Sequence, residues 1–429
     1  MIEIFVDQVS ERLIYALDFV FNERELSYKL NNDFLSFENS TLPKFNYSER
    51  FFENVPQVIP ATLLFDEDIF IYSIEKAKFK TEECLSFNSI VDPLASIFYI
   101  LSRMEEYVIA REDHHGRFSS KFSIQHSYNW LDKAVCDRWA VDFIGYVEST
   151  TEADLEIKIG KVNVRPTFDI DNTFAYQWKR GARKLGSILK DKIQNNKKRL
   201  AERKKVASGE MKDPYDTFDY IQSISDRGFD VNIFWLLGDY AKYDKNISYN
   251  DIRHQELIKR MYEKAVVGIH PSYNSNSYEF HIKEEKERLE NILGDEVIDT
   301  RQHFLKMKVR ITYANLNSLG FKNDYSMGYA DSVGFRSGTA RPHFWFDLSK
   351  NQITELMIHP FAYMDGTLNE YLKLSIDESR NVIWRLYSEI ARFGGDFICI
   401  WHNETIGNYG IWEGWNEVLE YTLSLKNRK

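Results

Sequence analysis

One short stretch constrains this chain more than any other. The run Val162–Ile170 is largely apolar and β-branched, carries Asp169 near its end and is followed directly by Asp171. Such a run predicts a β-strand. Residues two positions apart in a strand share a face, so the two carboxylates should converge, and they repel unless a cation offsets their charge. The segment alone predicts either a metal site, or a solvated Asp169 with Asp171 or Asn172 capping a following helix.

Length and composition indicate a large globular protein. A chain of 429 residues predicts two or three domains, and the 15% aromatic content can serve both cores and sugar-stacking surfaces. The formal net charge of −10 argues against a nucleic-acid partner. Cys84, Cys136 and Cys399 are far apart, which favours a reducing compartment without disulfides. No signal-like start and no membrane-length apolar run occur, so a cytoplasmic protein is the simplest interpretation.

The pattern of apolar residues divides the chain near residue 155. Residues 1–155 predict a smaller mixed α/β domain of unknown role. Residues 156–429 alternate strand and helix, which predicts a parallel sheet, open or closed into a barrel. The predicted strands are 162–170, 231–237, 265–270, 304–311, 356–359 and 396–401, and the predicted helices are 218–225, 253–264, 278–293, 377–393 and 412–425.

Residues 179–205 reverse the acidic character of the chain. They contain twelve Lys or Arg residues against two acids, Asp191 and Glu202, with apolar residues at helical spacing. This pattern predicts a basic helical insertion at about 178–210. It is either a solvated helix and loop or a basic amphipathic arm that contacts an anionic membrane or a lipid-linked, phosphate-bearing substrate.

Three further polar residues lie at the ends of predicted strands or after a turn: His270, Arg301 and His402. Parallel α/β folds build their sites at the carboxyl ends of strands. Each residue alone has an ordinary explanation, as a core histidine or a surface arginine. Together with the aspartate pair they predict a site for metal-assisted hydrolysis, in which His402 suits a general acid near neutral pH.

These residues resemble the motifs of a known family. Thr167–Asp171 is similar to the first motif, Thr-Phe-Asp-Asp-Gly, of the polysaccharide deacetylases (the NodB-homology carbohydrate esterases). His270–Asn274 resembles the second motif, Arg301–Phe304 the third and Trp401-His402 the fifth. Further stretches resemble a Bacteroidetes-type branch that has an extra N-terminal domain; they are 101–107, 115–118, 213–218, 237–240, 324–329, 334–339 and 364–368.

The resemblance implies a fold and an activity. The fold is a distorted (β/α) barrel over residues 156–429, and the activity is metal-dependent removal of acetyl groups from a bacterial polysaccharide or its precursor. Carried over, Asp169 would be the catalytic base, Arg301 its partner and His402 the general acid. Asp171 and His270 would bind a divalent metal, zinc or another transition metal. The partner of such a protein would be an acetylated glycan.

The sequence departs from the family pattern at two positions. Ile170 separates the two acidic residues of the first motif, so their roles as base and ligand could exchange. Asn274 stands where the second motif has a second metal-binding histidine, and His303 is a candidate replacement ligand. The alternative function is a catalytically weak or inactive protein of this fold that binds glycan or scaffolds polysaccharide assembly. In an active enzyme, a backbone amide near Tyr273 is expected to hold the oxyanion.

Overall fold

The computed structural model of the chain describes residues 1–151, 153–179 and 181–428. The chain forms two compact units, each built from separate segments. Unit 1 comprises Met1–Asn163, Met307–Ala362 and Trp384–Phe397, and unit 2 comprises Val164–Lys306, Tyr363–Ile383 and Ile398–Lys429. Among the described helices, none has both the length and the apolar character that a membrane crossing requires.

The first part of the chain contributes short strands and helices to unit 1. The strands are β1 (Ile2–Val6), β2 (Tyr28–Asn31), β3 (Lys44–Tyr47), β4 (Ile74–Phe79), β5 (Glu82–Phe87) and β6 (Ile90–Val91). The helices are α1 (Glu11–Val20), α2 (Phe34–Glu38), α3 (Pro93–Leu101), α4 (Glu105–Val108), α5 (Ile124–Ser127) and α6 (Val135–Thr150). Strands β2, β1 and β3 pair in parallel in that order, whereas β4, β5 and β6 form an antiparallel sheet.

Helix α3 shows why this part of unit 1 folds around a shared core. Asp92 precedes it and accepts the backbone N–H groups of Leu94 and Ala95 at 2.9 and 3.1 Å, and Pro93 occupies the first turn. All nine residues of the helix are buried. Helix α3 therefore lies at the centre of a hydrophobic cluster that also includes side chains of α1, α6 and β1.

From residue 162 onward, strands are interspersed with helices. The strands are β7 (Val162–Ile170), β8 (Asn232–Trp235), β9 (Val266–Ile269), β10 (Asp299–Thr300), β11 (Asn323–Asp324), β12 (His343–Asp347), β13 (Gln352–Ile358), β14 (Phe361–Met364) and β15 (Gly395–His402). The helices are α7 (Gly181–Ile193), α8 (Lys197–Ser208), α9 (Phe218–Asp226), α10 (Ile252–Tyr262), α11 (Glu279–Leu293), α12 (Val309–Ser318), α13 (Ile376–Ala391) and α14 (Asn416–Ser424). The prediction of a mixed α/β fold is confirmed.

A parallel sheet forms the centre of unit 2. Its strands lie in the order β10-β9-β8-β7-β15, and β7 to β10 run parallel. The register places Asp169 opposite Phe234, and Phe234 opposite Gly268. The Thr167 hydroxyl donates to the carbonyl of Cys399 at 2.7 Å and joins β7 to β15. In unit 1, β13 pairs in parallel with β11 and antiparallel with β12.

The predicted strand at 304–311 is wrong. Apolar and basic residues alternate there, and Leu305, Met307 and Val309 are indeed buried. However, Phe304 and Leu305 have φ angles of 61° and 51°, in the left-handed region that turns the chain out of an extended path. Helix α12 then starts at Val309, because Thr312 and the residues at helical spacing beyond it are buried as well.

The basic insertion forms a helical hairpin, α7 followed by α8. Asn196 caps α8 by accepting the backbone N–H of Arg199 at 3.1 Å. Asp191 of α7 pairs with Arg199 at 3.0 Å and with Arg203 at 2.7 Å, which fixes the two helices to each other. Arg180, which belongs to the predicted basic segment, lies outside the described residues.

Candidate metal centre

The parallel strands of unit 2 bring the predicted site residues to one edge of its sheet. Asp169 lies near the end of β7 and Asp171 directly follows that strand. His270 directly follows β9, Arg301 follows β10, and His402 is the last residue of β15. Because the carboxyl ends of parallel strands share an edge, local strand signals alone suffice to place these side chains together.

Asp171, His270 and His303 form a tight cluster. The His270 Nε2 atom lies 3.2 Å from Asp171 Oδ1, and the His303 Nε2 atom lies 3.1 Å from Asp171 Oδ2. One ligand atom from each of the three residues can be chosen so that all lie within 4.8 Å of one another. Both imidazoles are 2% exposed and Asp171 is 22% exposed. These three residues could therefore bind a metal ion.

Hydrogen bonds on the far side of each ring determine which nitrogen faces the cluster. His270 Nδ1 lies 2.6 Å from the carbonyl oxygen of Arg301, and His303 Nδ1 lies 2.9 Å from Asp244 Oδ1. Each Nδ1 must carry a hydrogen to donate to these oxygens, so each neutral ring presents an Nε2 lone pair to Asp171. Such outer partners are the usual means of orienting metal-binding histidines.

The cluster consequently concentrates electron pairs that need a positive charge among them. Two Nε2 lone pairs face one carboxylate, and Asp171 Oδ1 is buried with no hydrogen-bond partner among the described residues. A proton or a cation can relieve this repulsion. Imidazole and carboxylate together suit zinc and related transition metals. The donor set therefore fits a divalent cation.

The pKa values of the cluster residues in the absence of a cation also indicate that the cluster favours a positive charge. Burial lowers the pKa of His303, but the adjacent Asp171 and Asp244 carboxylates outweigh it and raise that pKa to about 9. Burial likewise opposes ionisation of Asp171, yet the neighbouring His303, His270 and His402 hold its pKa well below the ordinary value. A protonated imidazole thus supplies the charge that a metal would otherwise bring.

We expect chelator-treated protein to lose stability between pH 6.5 and 9. Below the ordinary histidine pKa of 6.5, His303 is protonated in folded and unfolded chains, so its stabilising effect is fully present. That effect is lost as the pH rises through the folded pKa of about 9, and it amounts to roughly 3 kcal/mol. Thermal unfolding measured across this range should show a smaller loss for His303→Ala than for the wild type. Equal losses would contradict the assignment of the raised pKa to this ring.

Arg301 holds Asp169 beside the cluster. Its Nη1 atom lies 2.8 Å from Asp169 Oδ1, and both side chains are almost fully buried. The guanidinium also packs over the ring of Phe234 at 4.5 Å. The second Asp169 oxygen is left 3.8 Å from His270 Nε2. Asp171 is therefore the carboxylate nearest the imidazoles, and Asp169 is the one paired with arginine.

His402 approaches the cluster from β15. Its Nδ1 atom lies 2.9 Å from Asp365 Oδ1, and its backbone N–H donates to Asp365 Oδ2 at 2.9 Å. Its Nε2 atom lies 3.8 Å from Asp171 Oδ2. Burial opposes protonation of this ring, but Asp365, Asp171 and Asp169 raise the His402 pKa well above its ordinary value. These carboxylates favour the protonated form of the ring, and its Nε2 atom is directed toward the cluster.

The loop after β9 contains two residues about which the sequence raised expectations, Asn274 as a departure from the metal-binding motif and Tyr273 as a source of an oxyanion-binding amide. Asn274 is exposed and lies outside the cluster, and His303 supplies the second imidazole from the loop after β10. The backbone N–H of Tyr273 donates to Asp244 Oδ1 at 2.8 Å. The Tyr273 amide thus helps to position Asp244, which in turn orients His303. This geometry does not support the expectation that the same amide binds an oxyanion.

Sequence reasoning gave no site role to two carboxylates of the site, Asp365 and Asp244. Asp365 directly follows the apolar strand β14, and the sequence shows there the same pattern of a strand followed by a polar residue that marked Asp169 and Asp171. Asp244 lies in the loop between β8 and α10, where no periodicity or strand end marks it. Both orient an imidazole through its Nδ1 atom.

One family model matches the first part of the chain. A family of unknown function (DUF7033) matches residues 2–152. No curated protein matches the sequence.

Solved structures with partial similarity include the following three. A Mycobacterium smegmatis protein described as a polysaccharide deacetylase is 15% identical, with 65% of this chain and 88% of that chain covered and a TM-score of 0.40. A polysaccharide deacetylase from Bacillus cereus is 11% identical, and the match covers 62% of this chain and 86% of that chain with a TM-score of 0.31. A Parabacteroides distasonis protein described as a glycoside hydrolase/deacetylase is 11% identical, and the match covers 63% of this chain and 68% of that chain with a TM-score of 0.37. At these scores, the geometry of the cluster is the stronger guide to function.

Proposed function

We propose that this protein is a metal-dependent hydrolase that removes acetyl groups from a bacterial polysaccharide or its precursor, on a distorted (β/α) barrel of the polysaccharide deacetylase type. The observation that carries the proposal is the convergence of three ligand atoms, from Asp171, His270 and His303, within 4.8 Å of one another. An arginine-held carboxylate and a carboxylate-held imidazole flank this cluster. Such a set contains the parts that acyl hydrolysis requires: a metal site, a base and an acid.

Each side chain of the site has a distinct role in the proposed reaction. Asp171, His270 and His303 would hold the cation, which when bound polarises the acyl carbonyl and makes water a better nucleophile. Asp169 accepts a proton from the attacking water through Oδ2, because Arg301 occupies Oδ1 at 2.8 Å. Arg301 thereby keeps the base in one orientation throughout the reaction.

His402 acts at the leaving group. Asp365, Asp171 and Asp169 raise its pKa against the effect of burial and so favour the protonated form that a general acid needs. Asp365 accepts the hydrogen on Nδ1, so the Nε2 hydrogen is the one that is free to move. His402 donates that proton to the departing amine or alcohol of the sugar as the bond to the acetyl carbon breaks.

An aromatic cluster beside the metal site supports a sugar substrate. Tyr243, Tyr273 and Phe304 are half-buried, with ring centroids 4.3 to 5.4 Å apart. The Phe304 ring lies 4.8 Å from the ring of His303. Aromatic faces with a polar handle are suited to stack against sugar rings and to hydrogen-bond their hydroxyl groups. Together with the resemblance of the motifs, this supports a glycan over other acyl substrates.

Acetate release from acetylated oligosaccharides tests the proposal. Purified protein is assayed on N-acetylated and O-acetylated glycans as isolated, after chelation, and after zinc or another transition metal is restored. We expect release that chelation abolishes and metal restores. If the metal-loaded protein binds the glycans but releases no acetate from any of them, the hydrolase proposal fails and the glycan-binding or scaffolding alternative is favoured.

A further inference from the structure

Helix α7 of the basic hairpin exposes a continuous apolar stripe. Leu185, Leu189 and Ile193 are 69%, 57% and 76% exposed. They are spaced four residues apart, so they lie along one face of the helix. Exposed apolar side chains on a protein surface are usually scattered singly. Three aligned on one helix constitute a surface that favours removal from water.

The same hairpin carries a strong positive charge. Seven lysines on it are exposed, and none forms an ion pair with an acidic residue in the part of the chain that the structure describes; they are Lys184, Lys190, Lys192, Lys197, Lys198, Lys204 and Lys205. The two acids of the hairpin are already engaged. Asp191 pairs with Arg199 and Arg203, and Glu202 accepts the hydroxyl hydrogens of Tyr176 and Tyr409. The lysine charge is therefore available to an outside partner.

We infer that the α7–α8 hairpin docks on an anionic membrane surface. In this arrangement Leu185, Leu189 and Ile193 enter the headgroup boundary, and the lysines lie at the level of the lipid phosphates. Charge complementarity identifies the partner as anionic, because the hairpin is basic within a chain of net charge −10. The apolar stripe favours a membrane over a nucleic acid, since phosphate backbones are bound by charge and offer no apolar interior.

The hairpin is tied to the chain segments that leave the metal centre. Asp213 accepts the backbone N–H groups of Ala175, Tyr176 and Gln177 at 2.8 to 2.9 Å, just after the segment that holds Asp171. Tyr409, which follows His402 in the chain, donates its hydroxyl hydrogen to Glu202 of α8 at 2.6 Å. Docking through the hairpin would thus hold unit 2 against the membrane by a fixed attachment.

Vesicle co-sedimentation of the full chain tests the inference. The probes are vesicles of phosphatidylcholine alone and vesicles of phosphatidylcholine mixed with phosphatidylglycerol. We expect binding to the anionic vesicles to be at least about tenfold stronger, and to weaken as salt is added. Equal partitioning onto the two kinds of vesicle would overturn the inference.

Two sets of substitutions separate the contributions of charge and apolar contact. The apolar variant Leu185→Ser, Leu189→Ser, Ile193→Ser should bind anionic vesicles at least about tenfold more weakly, with the salt dependence retained. The charge variant Lys197→Ser, Lys198→Ser, Lys204→Ser, Lys205→Ser should lose about fivefold per lysine that lies at the surface, together with most of the salt dependence.

Matched controls lie elsewhere on the surface. Phe51→Ser with Ile71→Ser removes side chains that are 80% and 87% exposed, and Lys78→Ser with Lys161→Ser removes exposed lysines. Both controls should bind vesicles as the wild type does, and thermal unfolding verifies that every variant is folded. The inference would be overturned if both hairpin variants bound vesicles as tightly as the wild type does. It would also be overturned if the wild type and the apolar variant bound duplex DNA tightly and in a salt-sensitive way but did not bind vesicles.

Discussion

Replacing Asp171 by asparagine should lower kcat/KM for acetate release by about a thousandfold or more. The change keeps the shape of the side chain but removes the charge toward which His270 Nε2 and His303 Nε2 converge at 3.2 and 3.1 Å. A neutral amide would also present an N–H group or a weaker oxygen donor to the cation. The expected result is a folded protein with weakened metal binding and little activity.

Asp239→Asn provides the matched control for that experiment. The Asp239 side chain is 85% exposed and pairs only at the surface with Arg288, so its removal should leave activity within about twofold of the wild type. Circular dichroism and metal content are measured alongside the kinetics. An Asp171→Asn variant with wild-type kcat/KM would show that this carboxylate takes no part in the reaction.

The second large effect is expected at His402. His402→Ala should lower kcat by about a hundredfold to ten-thousandfold on a glycan, whose leaving group needs a proton. An aryl acetate has a leaving group that departs without protonation, so its hydrolysis should be affected far less. This difference between substrates is the signature of a lost general acid. Equal losses on both substrates would contradict that role.

Asp365 should act through His402, and the pH profile is the measurement that shows it. Asp365 raises the pKa of His402, so Asp365→Asn should lower that pKa. The ring then loses its proton at a lower pH, and the alkaline limb of the kcat profile should move to lower pH. His281→Ala, at an exposed histidine, should leave the profile in place. An unshifted alkaline limb in Asp365→Asn would contradict the coupling.

The strand-end residues of the site were predictable because their signal is local. An apolar, β-branched run that ends in a polar residue identifies both the strand and the residue at its end, and β7 has the predicted bounds. Parallel pairing then brings such ends to one edge without further information. The same reasoning failed at 304–311, where alternating apolar and basic residues imitate a strand but two left-handed residues, Phe304 and Leu305, turn the chain.

The partners of the imidazoles were less accessible to sequence reasoning. Asp244 meets His303 because of the course of a loop, and a sequence pattern does not encode that course. The participation of His303 in the cluster also results from the course of a loop. A family motif expects an imidazole at position 274, whereas the structure brings a ring to the cluster from a different loop.

The assembly of unit 1 from separate segments also depends on contacts between distant parts of the chain. Arg336 pairs with Glu106 at 2.5 Å, and Arg103 pairs with Glu105 and Glu106, all in buried positions. The side chain of Ile100 lies 2.7 Å from where a Cβ on Gly338 would be, so that close approach requires glycine. These contacts join the 101–107 and 334–339 stretches, which sequence periodicity treats as unrelated.

Titration of zinc into chelator-treated protein tests the central claim most directly. Calorimetry on the wild type, His303→Ala and Asn274→Ala compares the residue inside the cluster with the one that the family motif would have used. The wild type and Asn274→Ala should each bind one zinc ion with the same affinity, and His303→Ala should bind at least about a hundredfold more weakly. Absence of zinc binding by the wild type, or equal affinity in His303→Ala, would contradict the assignment of Asp171, His270 and His303 as a metal centre.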